Sequence, residues 1–323
     1  MPQSARYSLP LRFRAAKPRY GQARRSWSSK FRRHTKAAAL AAGLCVSGVS
    51  AGGVLSACDV TIKDGDIKNV SVHARASQEW NRQYPLTPGG IVEIVNGNGS
   101  IEVVAGKAGV VDVAAVLEAR AMSETRAKEI LSNVKVEESA AADHIRVATV
   151  FTFRGRGPGG LESSYKVTIP ADARLEMTGN NGTLKADGLR GHVKAMVVNG
   201  GIELTSMSGT IDAAAVNAHL SAKMSQVTGP VRLESTNGRI SLEIPKTAKA
   251  TLNARSVNGG ITVNGLTTSD EASGRRIRTL ESQLNGGGPE IGVRVTNGRI
   301  SIRGTESPES KVESPGVASP QPR

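Results

Sequence analysis

Aromatic side chains are scarce in this 323-residue chain, at 4 Phe, 4 Tyr and 2 Trp, and the stretch from Ala173 to Ile302 contains none. Sites that act on sugars combine converging acids with aromatic platforms, so this stretch lacks half of what polysaccharide chemistry needs. Cysteine is limited to Cys45 and Cys58. Acidic residues are missing from residues 1–57, which carry eleven Lys and Arg between Arg6 and Lys36. The formal charge of +14 therefore sits mostly at one end, since 14 − 11 leaves +3 for the remainder. That is an ordinary balance, and no nucleic-acid partner is expected from it.

The basic stretch runs into an apolar segment, Ala37 to Val54, and ends on Leu55-Ser56-Ala57-Cys58. A positive region, an apolar region and small residues before a cleavage point make a secretory signal. Residues 1–57 are therefore read as a signal peptide with a long basic start. The Leu-Ser-Ala-Cys step resembles the lipobox of bacterial lipoproteins. That resemblance implies cleavage before Cys58, a diacylglycerol on its sulfur, and a membrane partner through that lipid. Cys45 fits less well, because Leu44 is too large for the small-residue slot. The competing reading is an uncleaved amino-terminal helix, since the apolar run approaches the ~20 residues needed to span a bilayer. On the lipoprotein reading the mature domain keeps no free thiol, so disulfides, thiol catalysis and cysteine zinc sites are not expected. Residues 58–90 are read as the lipidated Cys and a tether with a first strand.

What the chain does have is a nine-residue period. The register advances from Ala173 to Gly182, Gly191, Gly200, Gly209 and Ala218, then resumes at Gly229, Gly238, Ala250, Gly259, Pro289 and Gly298. In each nonad the second and fourth residues after the register position are apolar, from Leu175/Met177 and Leu184/Ala186 through to Ile300/Ile302. One-sided alternation of this kind predicts half-buried strands. Five-residue strands are expected, separated by four-residue turns. Asn precedes the register residue only in alternate nonads, at Asn181, Asn199, Asn217, Asn237, Asn258 and Asn297. The structural unit is thus about eighteen residues with two unlike corners, and Asn with Gly suits a tight corner. A fixed short period means a solenoid. The fold class expected is all-β, a two-faced parallel β-solenoid with one short helix, whose stacked coils align the Asn amides into a ladder. The central outward residues alternate in charge, as in Glu176, Lys194, Asp212 and Arg232, which reads as a solvated face.

Upstream, residues around Asn96-Gly97-Asn98-Gly99 already alternate as strands, and Ser123 to Val134 predicts a helix with Ala127, Ile130, Leu131 and Val134 on one stripe. Such a helix is expected to cover an end of the solenoid. Thr267 to Gly288 is read as a loop off the stack, and residues 304–323 as a disordered tail. The order Asn-Gly-x-Gly-x-Ile, short helix, Tyr165-Lys166-Val167-Thr168-Ile169-Pro170 and repeated Asn-Gly-x-Ile resembles a bacterial adhesin-like domain of unknown function, from about Pro88 to Arg303. That resemblance implies an envelope-anchored β-solenoid over residues 91–303, and it brings no catalytic residues.

Catalysis has little to stand on. Glu203 and Asp212 fall in successive nonads and so on different faces. The calcium solenoid signature, Gly-Gly-x-Gly-x-Asp, is missing. His192 and His219 belong to unlike corners and are read as isolated surface histidines rather than metal ligands. Arg154 to Gly160 lacks the Lys-Ser/Thr of a phosphate loop. No catalytic residue, metal or cofactor is expected. Binding remains: a monomeric envelope module on a lipid tether, presenting regular faces to an unknown envelope protein or glycan. The alternatives are a scaffold that self-assembles or supports an envelope complex, and a polysaccharide-acting enzyme on a β-helix.

Overall fold

In the computed structural model, residues 59–63, 66–71, 74–151, 159–267 and 278–306 are described. The expectations for the signal, Cys45 and Cys58 lie outside them, as do those for most of the Gly-rich stretch before Gly160 and for the tail beyond Glu306.

The chain opens with β1 (Asp59–Lys63) and β2 (Asp66–Ser71), paired antiparallel. There follow β3 (Ala74–Pro85), β4 (Ile91–Asn98), β5 (Ile101–Gly106) and β6 (Val110–Ala121). Helix α1 (Glu124–Ser132) leads to β7 (Val134–Ala140), β8 (His144–Phe151) and β9 (Gly159–Pro170). Five long strands come next, β10 (Arg174–Asp187), β11 (Val193–Met207), β12 (Ile211–Met224), β13 (Val231–Pro245) and β14 (Ala250–Asn264). The order ends with β15 (Thr279–Leu284) and β16 (Glu290–Thr305). From β3 onward the strands form one open, mixed sheet of 14.

The long strands obey their sequence pattern. In β10, Leu175, Met177, Leu184 and Ala186 are buried while Lys185 is exposed. Between the two halves, Asn180 and Asn181 are both exposed, so the inward phase passes from odd to even positions. The strand bends at this point without ending, and both halves turn their apolar side chains to one core. A Cβ on Gly179 would lie only 3.1 Å from Leu184 Cδ2 across the bend. Turns therefore occur at alternate corners only, which corrects the expectation of a turn after every fifth strand residue. The physical reason is that the Asn–Gly corner keeps its pairing, with Asn181 opposite Asn199 and Gly182 opposite Gly200. Successive corners approach so closely that only Gly fits at position 200. Its φ is 138° and a Cβ there would sit 1.8 Å from the Gly182 carbonyl oxygen.

β10, β11 and β12 pair in parallel, eighteen residues apart (193 − 175), with Leu175, Val193 and Ile211 aligned and Leu184, Ile202 and Leu220 aligned. Every apolar pair of the repeat is buried apart from Val263. Full burial of each Val, Leu, Ile or Met among them stabilises by roughly 1.5–3 kcal/mol, so this core dominates the energetics of the fold.

Stacking order departs from chain order at the end. β16 lies between β13 and β14, pairing in parallel with both, and β15 runs antiparallel along the outer side of the first half of β14. The segment 267–288 is thus not all loop: Leu280, Ser282 and Leu284 face inward from β15. Gly304 and Thr305, placed in the tail by sequence, pair with Ile244 and Pro245 as the end of β16.

At the other end the sheet forks. β4 extends the first half of β10, followed by β8 and β7, while β5 extends the second half, followed by β9, β6 and β3. β6 and β3 are antiparallel, and β3 pairs along its whole length, contributing Ala76 and Tyr84 to the interior. Within residues 58–90, where the sequence predicts a tether and a first strand, 74–85 is thus a full strand of the sheet. The helix begins as expected, with Ser123 accepting a hydrogen bond from the Arg126 amide and Glu124 in the first turn. It buries Ala127, Ile130 and Leu131 against Leu117, Ala119 and Ala121 in a small separate core. It does not cap the stack. Further strands extend the sheet at this end instead, since a strand can pair the free backbone groups of an edge.

Candidate binding surface

The Asn corner forms a continuous row of side-chain hydrogen bonds. Asn181 Nδ2 donates to Asn98 Oδ1 at 2.6 Å, Asn199 to Asn181 and Asn217 to Asn199 at 3.0 Å, and Asn237 to Asn217 at 2.9 Å. Asn297 then donates to Asn237 and Asn258 to Asn297, each at 2.8 Å. All six Asn singled out by the repeat are in this row, with the last two in reversed order because β16 is inserted. Asn98 is the seventh member. Its signal was the Asn98-Gly99 step, hidden by the short spacing to Asn96-Gly97. Asn96 does different work, as its buried Nδ2 donates to the Ser163 carbonyl at 2.7 Å and ties β4 to β9 at the fork.

The outer faces are polar and largely self-paired. Lys185 meets Glu203 at 2.8 Å, Lys194 meets Glu176 at 3.6 Å and Lys223 meets Glu243 at 3.9 Å, each across neighbouring strands. Hydrogen bonding to Glu203 raises the Lys185 ammonium above its ordinary value. Exposed pairs of this kind contribute about 0–1 kcal/mol each, so they fix the character of the face more than its stability.

Two recesses interrupt these faces. An open cleft of about 670 Å³ lies on the outer side of β3, β6, β9 and β5, lined by Asn81, Gln83, Glu102, Asp112, Lys166 and Thr168. Gln83 Nε2 donates to Asp112 Oδ1 at 2.7 Å there. In the Tyr165–Pro170 step, Tyr165, Val167 and Ile169 point inward while Lys166 and Thr168 alternate outward. The second recess, about 320 Å³, crosses the first halves of β10 to β13 and β16 beside the Asn row. It is largely apolar, with Met196, Val198 and Val216 substantially exposed, and the buried Ser235 hydroxyl in its lining has no hydrogen-bond partner among the described residues.

Inside the fork, Tyr84 donates to Glu138, whose other neighbour is Arg82 at 3.6 Å. Burial, then the bond to Glu138, raises the Tyr84 phenol above its ordinary value. Burial likewise raises Tyr165, which is bonded to Thr149. These groups hold the two wings of the fork together.

His219 stands opposite Gly201 in the second half of its strand, whereas His192 lies in the turn before β11, so the two are on unlike corners. Among the described residues no group of three His, Cys, Asp or Glu is placed to hold a metal ion, and no helix is long and apolar enough to cross a membrane.

No curated protein matches the chain. Among solved structures it is similar to a candidate cell adhesion protein from Clostridium sporogenes, with 11% identity, 71% of this chain and 100% of that chain covered, and a TM-score of 0.43. It is also similar to a candidate adhesin from Bacteroides fragilis, with 14% identity, coverage of 71% and 97%, and a TM-score of 0.31. A candidate lipid-binding protein from Parabacteroides distasonis shares 11% identity over 71% and 97%, with a TM-score of 0.21. Residues 54–303 match the Toastrack DUF4097 family. That is well over half of the sequence, and the chain belongs to this family.

Proposed function

We propose that this chain is a non-enzymatic cell-envelope lipoprotein whose two-faced parallel β-solenoid, with about eighteen residues per coil, binds an extended envelope protein or glycan. The observation that carries the reading is the strict register of the long strands. It repeats polar side chains at the strand spacing, roughly 4.8 Å, along outer faces backed by a continuous apolar core. An extended partner can meet such a face at many equivalent points without ordering it first. The cleft bearing Asn81, Gln83 and Lys166 adds a recess with donors and acceptors of both signs. Anchoring through a lipid on Cys58, and a position facing the periplasm or exterior, rest on Leu55-Ser56-Ala57-Cys58. A monomer is favoured by β15 and β3, antiparallel strands that cover the first half of β14 at one end and β6 at the other.

The test is photo-crosslinking from Lys166 and Lys194 positions of the full chain in its native envelope. A discrete adduct from either outer face is expected, and its absence from both would remove the binding reading. Cys58→Ser should abolish the lipid mass and release the chain from membranes. Unchanged mass and retention would overturn the lipid anchor.

One observation favours self-assembly as a second reading. The second half of β14, Ile261 to Asn264, pairs with β16 on one side and with no described strand on the other. An exposed edge templates pairing with another chain. Sedimentation showing a monomer at every concentration would exclude it.

A further inference from the structure

On the long strands, rows of outward side chains that share a register position run across the stack, and several cations in them stand beside carboxylates. Lys185, Lys194 and Lys223 each have a Glu on the adjoining strand. Arg294 stands beside Arg255 but also beside Glu234, and Arg303 stands beside Glu243. In one row two cations stand side by side with no carboxylate among them. Just after the Asn corner, the residues in stacking order are Thr183, Gly201, His219, Arg239, Arg299 and Gly260. Arg239 and Arg299 are exposed neighbours in register, and their row holds no carboxylate. Neither guanidinium makes an ion pair among the described residues. Like charges directly opposite each other on adjacent strands are destabilising, so the pair costs the fold something and gains it nothing visible.

The surroundings fit an anion. Two residues further along the same strands and on the same face are Ser241 and Ser301, also in register and only half-buried. His219 flanks the pair on the β12 side, while Gly260 on β14 leaves the other side without a side chain. At a strand spacing of about 4.8 Å, side chains that leave neighbouring strands in register are close enough for both guanidiniums to reach one tetrahedral oxyanion. Arginine is the side chain best suited to bidentate recognition of phosphate, and the two hydroxyls supply further donors on the same patch.

We propose that Arg239 and Arg299, with Ser241, Ser301 and His219, form a binding site for a phosphate ester. The site lies beside the Asn row on the second half of the stack and does not depend on how the chain is anchored. A soluble phosphate ester and a phospholipid headgroup share this chemistry.

The experiment titrates the full chain in neutral detergent with two probes, glycerol phosphate and a short-chain phosphatidylglycerol, followed by ³¹P NMR and calorimetry. Saturable binding of at least one probe is expected, weakened at least tenfold in the Arg239→Gln/Arg299→Gln variant. The Arg255→Gln/Arg294→Gln variant should bind as the parent chain does. Equal affinity for both probes assigns the site to free esters, and tighter binding of the lipid assigns it to a headgroup. Absence of saturable binding to either probe overturns the proposal. So does parental affinity in the Arg239→Gln/Arg299→Gln variant, or equal losses in both double variants. Circular dichroism and thermal melting confirm that each variant remains folded, and surface Arg→Gln changes of this kind leave the core untouched.

Discussion

The reversed stacking order of the last two coils can be tested through the Asn row itself. Asn297 lies between Asn237 and Asn258, accepting from one and donating to the other at 2.8 Å. Neighbouring rungs are about 4.8 Å apart, which puts Asn237 and Asn258 roughly 9.6 Å apart. One hydrogen bond contributes a net ~0.5–1.5 kcal/mol. Asn297→Ala removes two bonds and should cost about 1–3 kcal/mol, whereas Asn258→Ala removes one and should cost about half as much. In double-mutant cycles, the Asn237/Asn297 pair should couple by ~0.5–1.5 kcal/mol. The Asn237/Asn258 pair should be additive within about 0.5 kcal/mol, as non-contacting sites are. Urea denaturation of the full chain measures both, provided the m-value holds constant across the set. Coupling between Asn237 and Asn258 that exceeds coupling between Asn237 and Asn297 would show that β14 packs directly on β13, and the insertion of β16 would be wrong.

Three further outcomes follow from the same geometry. Leu204→Ala should destabilise by about 2–5 kcal/mol through a core cavity, while Glu203→Ala, one residue away but outward, should cost no more than about 1 kcal/mol; denaturation midpoints distinguish them. Gly200→Ala places a methyl against the Gly182 carbonyl in a positive-φ conformation and should cost more than about 1 kcal/mol, read from the same curves. Tyr84 and Tyr165 both hold their phenol protons more tightly when folded. Above pH ~10, where an unfolded tyrosine begins to ionise, the folded chain binds more protons than the unfolded one, so stability must fall as pH rises. Melting temperature should drop above that pH, and Tyr165→Phe should flatten the slope; an unchanged slope in that variant would remove Tyr165 from the account.

Much of this fold is legible locally because burial and sequence share one period. Ile202 and Leu204 face inward and Glu203 outward for the same reason in every coil, and the spacing of Asn181, Asn199 and Asn217 already marks them as neighbours. The fork is not legible. Alternation in Val111–Val113 and Val167–Ile169 predicts strands but carries no sign of direction, since parallel and antiparallel neighbours bury the same alternate side chains. The helix was legible as a helix from Ser123 and its apolar stripe. Where it docks depended on Ala119 and Ala121 of β6, whose small side chains make room for it beside Leu117 and resemble any other strand face in sequence. The Arg239–Arg299 contact was invisible until β16 was placed, because the two residues are sixty positions apart (299 − 239).

The placement of β16 is itself a contest between burial and charge. Direct pairing of β13 with β14 would close a much shorter loop, which chain entropy favours, and would set Arg239 beside Gly260 instead of Arg299. Glu234 would find Arg255 in place of Arg294, so that row would be unchanged. Glu243 would lose Arg303 and face Asn264, a loss of at most about 1 kcal/mol for an exposed pair. A further difference lies in the core. The strand at the edge leaves its last apolar residue half-covered, as Val263 of β14 is, while Ile300 and Ile302 of β16 are fully buried in the interior position. Exchanging the two strands would leave Ile302 half-covered and bury Val263, a net change of about one methylene, ~0.8 kcal/mol at most, which is of the same size as the cost of the Arg–Arg adjacency, a few tenths to about 1 kcal/mol when exposed. Asn285 secures the arrangement by donating from Nδ2 to the Lys246 and Ala248 carbonyls at 2.8 Å, holding the short link that steps across the inserted strand. Packing therefore favours β16 in the interior position by no more than that cost, and it does not explain why both residues at that register are arginine. Either one could be a neutral residue without loss to the core, and a bound oxyanion is what turns their contact from a cost into a gain.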